Sequence, residues 1–237
     1  MSPDRANPDA QATDPAADVG YDGLKRLLDI VATLFFLVLL GPLMLGLALL
    51  VAVTSKGPVF YRQKRVGRGG EEFTVLKFRS MRADAESASG PVWAKSDDPR
   101  STPVGLVMRR TFLDELPQLF NVLAGQMSIV GPRPERQFFV LQFRETLPGY
   151  DRRHFVRPGL TGWAQAYGWR GDEGDIAGRT RHDLWYVDHR SFAVDAHIVW
   201  RTLLVMFRLI DGAPMEVIPP EPAEVAGARS AEPQPEP

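Results

Sequence analysis

The chain has 237 residues, no cysteine, 28 Lys+Arg against 29 Asp+Glu, and a formal net charge of −1. That length suits one domain or a little more, and the lack of cysteine excludes a disulfide-stapled scaffold, a zinc-thiolate centre and a cysteine nucleophile. The whole-chain charge hides an asymmetry: residues 1–20 carry −3, residues 211–237 carry −5, and 21–210 carry +7, with arginine supplying 21 of the 26 cations there.

Both ends are acidic and hold half of the 20 prolines. This composition predicts disordered tails at 1–20 and 211–237. Arginine is the side chain suited to bidentate phosphate contacts, although its count alone fits GC-rich coding equally well.

From Ile30 to Ser55 run 26 consecutive uncharged residues. As a helix they reach about 39 Å, enough for a hydrocarbon core of about 30 Å. The run is too long and starts too late for a signal peptide, and has no A-x-A cleavage site. Gly41-Pro42 sits near its middle, where the missing N–H and the ring of Pro42 predict a kink or break. Each half alone is then too short to cross. Lys25 and Arg26 precede the run, and Lys56, Arg62, Lys64, Arg65 and Arg68 follow it. If cations prefer the cytoplasm, both ends seek one side, which a re-entrant helix–break–helix satisfies; a kinked single span fits the hydropathy equally well.

Val59–Lys64 and Glu72–Phe78 are rich in β-branched and aromatic residues and are separated by Gly67-Arg68-Gly69-Gly70, which predicts a short hairpin. Residues 83–103 are polar, with Gly90, Pro91, Pro99 and Pro103, and are expected to be a loop. A helix is expected at Val104–Arg110, and another beginning near Pro117 and stopping near Gly125. Val130–Pro134 is a Gly/Pro-rich loop, Gln137–Thr146 a helix, and Arg157–Gly171 a second irregular segment rich in Gly and Trp. Val194, Ile198, Val205 and Leu209 form an apolar stripe at helical spacing, with Arg201 and Arg208 between. Such a helix suits either a membrane interface or ordinary core packing.

The chemistry centres on Asp114-Glu115, between Arg109-Arg110 and Pro117. Adjacent side chains diverge by about 100° inside a helix, but at the turn entering one they can converge beside the positive end of its dipole. Two hard carboxylates suit Mg²⁺, and a carboxylate can also act as a nucleophile. Read alone, the pair fits a solvated helix start. Its company points elsewhere: Arg109, Arg110, Arg133 in Gly131-Pro132-Arg133-Pro134, and Arg157 in Arg157-Pro158-Gly159, arginines on stiff loops suited to clamping phosphates. His154, His182, His189 and His197 lack metal-ligand spacing and are expected to be structural. There is no P-loop, G-x-G-x-x-G, G-x-S-x-G or H-E-x-x-H pattern.

Taken in order, these segments resemble the bacterial monotopic phosphoglycosyl transferases, also called bacterial sugar transferases or undecaprenyl-phosphate glycosyl-1-phosphate transferases. The likeness starts at Lys25-Arg26-Leu27-Leu28-Asp29 and the Pro-broken apolar helix. It continues through Gly57-Pro58-Val59-Phe60, Lys77-Phe78-Arg79-Ser80-Met81, and the run from Arg109 through Asp114-Glu115-Leu116-Pro117 to Val122. Met127 to Pro134, Arg157 to Gln165 and Asp183-Leu184-Trp185-Tyr186-Val187 complete it. It covers about 21–210, and so many motifs in one order are specific where each alone is weak.

The resemblance implies an α+β, mostly α fold: a re-entrant membrane helix at 21–56 broken at Gly41-Pro42, and a cytosolic catalytic domain at 57–210 with a short β-hairpin and interfacial amphipathic helices. Gly41 stands where the family often has Ser, so a backbone-satisfying hydroxyl is missing there. The implied activity is transfer of a sugar 1-phosphate from a UDP-sugar to polyprenyl (undecaprenyl) phosphate, releasing UMP, at the cytoplasmic face of the bacterial inner membrane. This would be the initiating step of exopolysaccharide assembly, upstream of other glycosyltransferases. The implied mechanism is ping-pong: Asp114 is the nucleophile, Glu115 helps bind Mg²⁺ and assists deprotonation, Asp114 and Glu115 are the metal pair, and Arg109, Arg133 and Arg157 bind phosphate, with Trp163 in the same pocket. The short N-terminal region implies a minimal catalytic form. A non-catalytic membrane scaffold and a nucleic-acid binder are the competing readings; no nucleic-acid recognition motif is present.

Overall fold

The computed structural model describes residues 19–82, 84–85, 98–169, 176–207, 209–210, 213 and 215. The disordered tails expected at 1–20 and 211–237 fall outside these residues except for their inner edges, as do most of the 83–103 loop and Arg208.

Helix α1 spans Val19–Thr54, 36 residues or about 54 Å of helix. It is helical through Gly41 and Pro42 without interruption. The two separate half-helices expected from Pro42 are therefore one element. A proline removes a single i→i−4 bond, and its neighbours and the packing on either side keep the helix going.

One face of α1 is buried at Asp29, Thr33, Met44, Leu47 and Val51, while Val31, Leu34, Phe35, Val38, Leu39, Leu45, Leu49 and Val53 are exposed. Both ends are fastened to the same body. Near the start, Arg26 donates to the carbonyls of Val122 (2.6 Å) and Leu123 (2.8 Å), and Asp29 accepts from the Ile129 amide (3.1 Å). Near the end, Met44, Leu47 and Val51 share a core with Phe78, Met108 and Leu119, and Arg79 donates to the Ser55 carbonyl (2.7 Å). Burying side chains of this size stabilises by roughly 1.5–3 kcal/mol each.

The predicted hairpin is present and slightly longer: β1 (Phe60–Val66) pairs antiparallel with β2 (Glu72–Phe78). Helix α2 (Pro103–Arg110) starts on a Thr102 cap, whose hydroxyl accepts from the Gly105 amide at 2.9 Å. A short 3₁₀ turn at Leu113–Glu115 leads to α3 (Gln118–Leu123), with Pro117 just ahead of it and Gly125 at positive φ just after, as the sequence suggests. Helix α4 (Gln137–Thr146) has the predicted bounds.

The expected loop at Val130–Pro134 is irregular after Val130, whereas Arg157–Gly171 contains a strand and a short helix. Ser128–Val130 (β3) pairs in parallel with Gly159–Thr161 (β4), and α5 (Trp163–Ala166) follows. A Cβ on Gly131 would sit 2.3 Å from the Arg157 carbonyl oxygen, so only glycine lets the two loops meet backbone to backbone.

Two helices close the fold, α6 (Ile176–His189) and α7 (Phe192–Met206). The stripe read on α7 is half right. Val194 and Ile198 pack into the core, but Leu209 is exposed, and Trp200, Leu203, Met206 and Phe207 present a second apolar surface outward. The fold is α+β, mostly helical, with a long apolar N-terminal helix and two small sheets.

Candidate active site

The chain enters the site through a strained residue. Phe112 has φ of 57°, the one positive-φ residue other than glycine among those described. A left-handed Phe is disfavoured and persists only where its surroundings hold it. Here it ends α2 and turns the chain into Leu113–Glu115. Leu113 and Leu116, on either side of the carboxylates, pack against the cluster that holds Met44, Leu47 and Val51 of α1. The acidic pair is therefore flanked by side chains of the same apolar cluster that α1 enters.

Asp114 and Glu115 do converge at this turn, but in unequal surroundings. Glu115 accepts from Lys77 Nζ at 2.6 Å and from both terminal nitrogens of Arg133, at 2.7 and 3.2 Å. These charges hold its carboxyl well below the usual range despite burial. Asp114 is 6% exposed, and its hydrogen-bond contact is the Ser80 hydroxyl at 3.5 Å. Burial, with a smaller push from Glu115, raises its proton affinity, opposed chiefly by Lys77 and then by Arg109 and Arg133. One carboxylate is locked by cations; the other is desolvated and lightly held.

Arg133 is itself positioned. Arg153 donates to the Arg133 carbonyl (2.8 Å), to Asp183 (2.6 Å) and to the Tyr150 hydroxyl (2.8 Å). Glu135, two residues on, pairs with Arg65 (3.2 Å) and with Arg179, and is held at about 2 by those cations. Behind the site thus lies a buried network of paired charges, in which the Nε atoms of Arg153 and Arg179 have no hydrogen-bond partner among the described residues.

Of the expected site residues, the fold brings together Asp114, Glu115, Arg133 and Arg109. Arg157 is elsewhere. Its Nε donates to the Gly125 carbonyl (3.0 Å) past the end of α3, and its electrostatic neighbours are Arg68, Arg26, Asp22 and Asp29. Trp163 lies in the core, stacked on Trp185 at 4.1 Å. The four histidines bond to nearby backbone or side chains: His182 to the Gly178 carbonyl, His189 to that of Trp185, His154 to Asp151 and His197 to Tyr167.

Lys77 and Ser80 join the site without having been singled out, although both lie in a segment that carried the resemblance. The signal for Lys77 was its register. Phe73, Val75 and Lys77 alternate onto one face of β2, and the first two are buried, so a cation occupies an inward position.

The family profile described as bacterial sugar transferase matches residues 20–209. The chain belongs to the bacterial sugar transferase family. Among its relatives, a UDP-N-acetylgalactosamine-undecaprenyl-phosphate N-acetylgalactosaminephosphotransferase of Aeromonas hydrophila is 45% identical over 184 residues, 77% of this chain and 43% of that protein. A UDP-glucose:undecaprenyl-phosphate glucose-1-phosphate transferase of Escherichia coli K12 is 44% identical over 200 residues, 81% of this chain and 43% of that protein. This sugar transferase chain thus spans less than half the length of those two. It covers 94% of the exopolysaccharide production protein PSS of Rhizobium leguminosarum bv. phaseoli, at 42% identity over 187 residues.

Among the described residues no group of three or more His, Asp or Glu could hold a metal ion. Mg²⁺ commonly takes only one or two carboxylates and fills its shell with water and phosphate oxygens. Asp114 and Glu115 fit that habit, because Asp114 is lightly held and the Glu115 Oε2 contact is the longer one, 3.2 Å.

Proposed function

We propose that this protein transfers a sugar 1-phosphate from a UDP-sugar to polyprenyl phosphate, by way of a phosphosugar carried on Asp114. The observation that supports this most is the asymmetric dyad, a buried, desolvated Asp114 beside a Glu115 already clamped by Lys77 and Arg133. An Asp114 oxygen attacks the β-phosphorus of the donor. The bond from that phosphorus to the oxygen bridging to the α-phosphate breaks, and UMP leaves with that oxygen. A phosphate oxygen of the acceptor then attacks the same phosphorus, the Asp114 oxygen–phosphorus bond breaks, and the product is a polyprenyl diphosphate sugar.

Phosphoryl transfer needs in-line positioning and charge neutralisation more than elaborate covalent chemistry. Lys77, Arg109 and Arg133 supply positive charge around the dyad. Asp114 and Glu115 would hold Mg²⁺, whose chemistry is to neutralise the donor phosphates and the departing UMP. Glu115 suits a role in organising charge better than one in taking protons. Its proton affinity is well below the ordinary range, and a phosphate acceptor is already ionised near neutral pH.

We place α1 in one leaflet as a re-entrant anchor bent at Gly41-Pro42, with both ends and the catalytic body on the cytoplasmic face of the inner membrane. The support is that Arg26 and Asp29 near one end and Val51 and Ser55 at the other all bind the same body. UDP-sugars are cytoplasmic metabolites, and the lipid-linked product would be the substrate of later glycosyltransferases in polysaccharide assembly. The donor is an open choice between hexose and N-acetylhexosamine, since relatives named for N-acetylgalactosamine and for glucose are 45% and 44% identical.

Two experiments test the reading. Mixing enzyme with a panel of UDP-sugars but no acceptor is expected to give a burst of UMP matching the enzyme concentration, with a phosphosugar adduct on the Asp114 peptide by mass spectrometry; no burst with any donor sinks it. Because the chain has no cysteine, single Gly23→Cys and Lys56→Cys variants report topology cleanly. Both should label from the cytoplasmic side, and labelling from opposite sides would make α1 a full span.

A further inference from the structure

A shallow cleft, open to solvent, lies where the first turns of α1 meet β3 and the residues just before β4. It is distinct from the Asp114 site, because it borders the end of α3 that Arg157 occupies. Lys25, Arg68, Arg157 and Arg190 line it against Asp22 and Asp29, so cations outnumber carboxylates two to one.

Some of this charge is already engaged. Lys25 pairs with Asp195 at 2.5 Å, Arg68 lies 3.5 Å from Asp22, and Asp29 accepts from the Ile129 amide. Among the described residues Arg157, however, commits only Nε, to the Gly125 carbonyl. Burial and the nearby charges of Arg68 and Arg26 lower its proton affinity, a conflict that a bound anion would relieve. Ser128 points to a ligand independently. It lines the cleft at 1% exposure, and its hydroxyl has no hydrogen-bond partner among the described residues. A buried hydroxyl without a partner is costly.

We propose that this cleft binds a phosphate group, the phosphodiester of an anionic lipid headgroup, through Arg68, Arg157 and the Ser128 hydroxyl. Two guanidinium groups and a hydroxyl are donors suited to phosphate oxygens. The depth is right if α1 is the membrane anchor, the reading on which this rests. Asp29 is the last residue before the uncharged run, so the cleft sits at headgroup level while that run occupies the acyl region. Leu24, Leu27 and Leu28, on the same turns, are about half exposed and offer an apolar track for the lipid's chains. The reacting acceptor is a poor occupant, because α3 separates the cleft from Asp114 by about 9 Å of helix. An occupied cleft would fix the start of α1 against the body and so set the depth at which the dyad meets the membrane.

The test uses the full chain in maltoside micelles, which contain no phosphate, with thermal unfolding as the readout. Dihexanoyl phosphatidylglycerol is expected to raise Tm saturably. The response should persist in Arg133→Gln and need about fivefold more lipid in Arg68→Gln and Arg157→Gln. Arg68 is a surface side chain, so its variant keeps the test readable if Arg157→Gln folds poorly. Equal potency of inorganic phosphate would overturn the lipid source. Unchanged responses in both cleft arginine variants would overturn the site, and loss of the response in Arg133→Gln would move the binding to the cations of the dyad. Transferase turnover is measured separately, so failure of the cleft and failure of the transferase reading give different results.

Discussion

The two ends of α3 carry arginines of similar sequence appearance and opposite use. Before the helix, Arg133 closes on Glu115 beside a lightly held Asp114. After it, Arg26 and Arg157 donate to the carbonyls of Val122, Leu123 and Gly125, quieting the negative end of the helix. Gly-Pro-Arg-Pro and Arg-Pro-Gly both read as phosphate clamps in sequence. Their backbones do meet, at Gly131 and Gly159, but their side chains part to opposite ends of α3. A stiff loop presenting arginine therefore shows that an arginine is held, not what it is held for.

If the first end is chemical and the second structural, substitutions should separate into losses of turnover and losses of stability. The largest effect is expected for Asp114→Asn, which keeps shape but not the nucleophile: turnover should fall at least about a thousandfold with Tm little changed. Near wild-type UMP release from Asp114→Asn in membrane fractions would end the nucleophile assignment. Chelating divalent cations should come next, with turnover falling by about a hundredfold and restored by Mg²⁺. Arg133→Lys keeps the charge but loses the paired contact to Glu115 and should cost about tenfold to a hundredfold, mostly in kcat. An effect confined to Tm would move Arg133 to the structural class.

How much of this contrast was legible depended on whether the inward-facing residues were apolar. Helix α1, the hairpin, α3 and α4 announced themselves through hydropathy, alternation and their Gly and Pro stops. Helix α6 did not, because its buried side includes Arg179, Thr180, His182 and Asp183 as well as Tyr186 and Val187, so no apolar stripe shows. The β3–β4 pair is three residues a side, too short for alternation to show, and β4 sits in a segment that Gly and Pro mark as irregular. In the site, Asp114, Glu115, Arg109 and Arg133 could be named in advance. That Arg157 belonged to a different place depended on which way its side chain leaves a shared backbone crossing.

A smaller effect separates the two carboxylates by pH. Burial raises the proton affinity of Asp114 above the ordinary aspartate value of 3.8, and the nucleophile must be ionised. The acid limb of kcat/KM should therefore lie above that value, and Lys77→Met, which removes the main opposing charge, should move it higher. Stability follows the other sign. Glu115 and Glu135 are held below their ordinary 4.5, so their contribution is complete above that pH and is lost as pH falls through their folded values, about 2 for Glu135. A kcat/KM limb that does not move in Lys77→Met would mean another group controls it.

The smallest effect on turnover, and the sharpest test of the contrast, is expected at Arg26. Replacing it with Ala leaves the Val122 and Leu123 carbonyls without their charged donor and should cost about 1–2 kcal/mol of stability. Since α3 is only six residues long, any looseness at its far end is felt at the dyad unless the near end is held independently. The near end is so held: Leu113 and Leu116 pack into the cluster that α1 shares with Phe78 and Met108, and Glu115 is fastened by Lys77 and Arg133. Turnover per folded enzyme should thus stay within about twofold of wild type while Tm falls. If instead kcat drops in step with stability, the two ends of α3 act as one unit, and the membrane helix holds the nucleophile in place through Arg26.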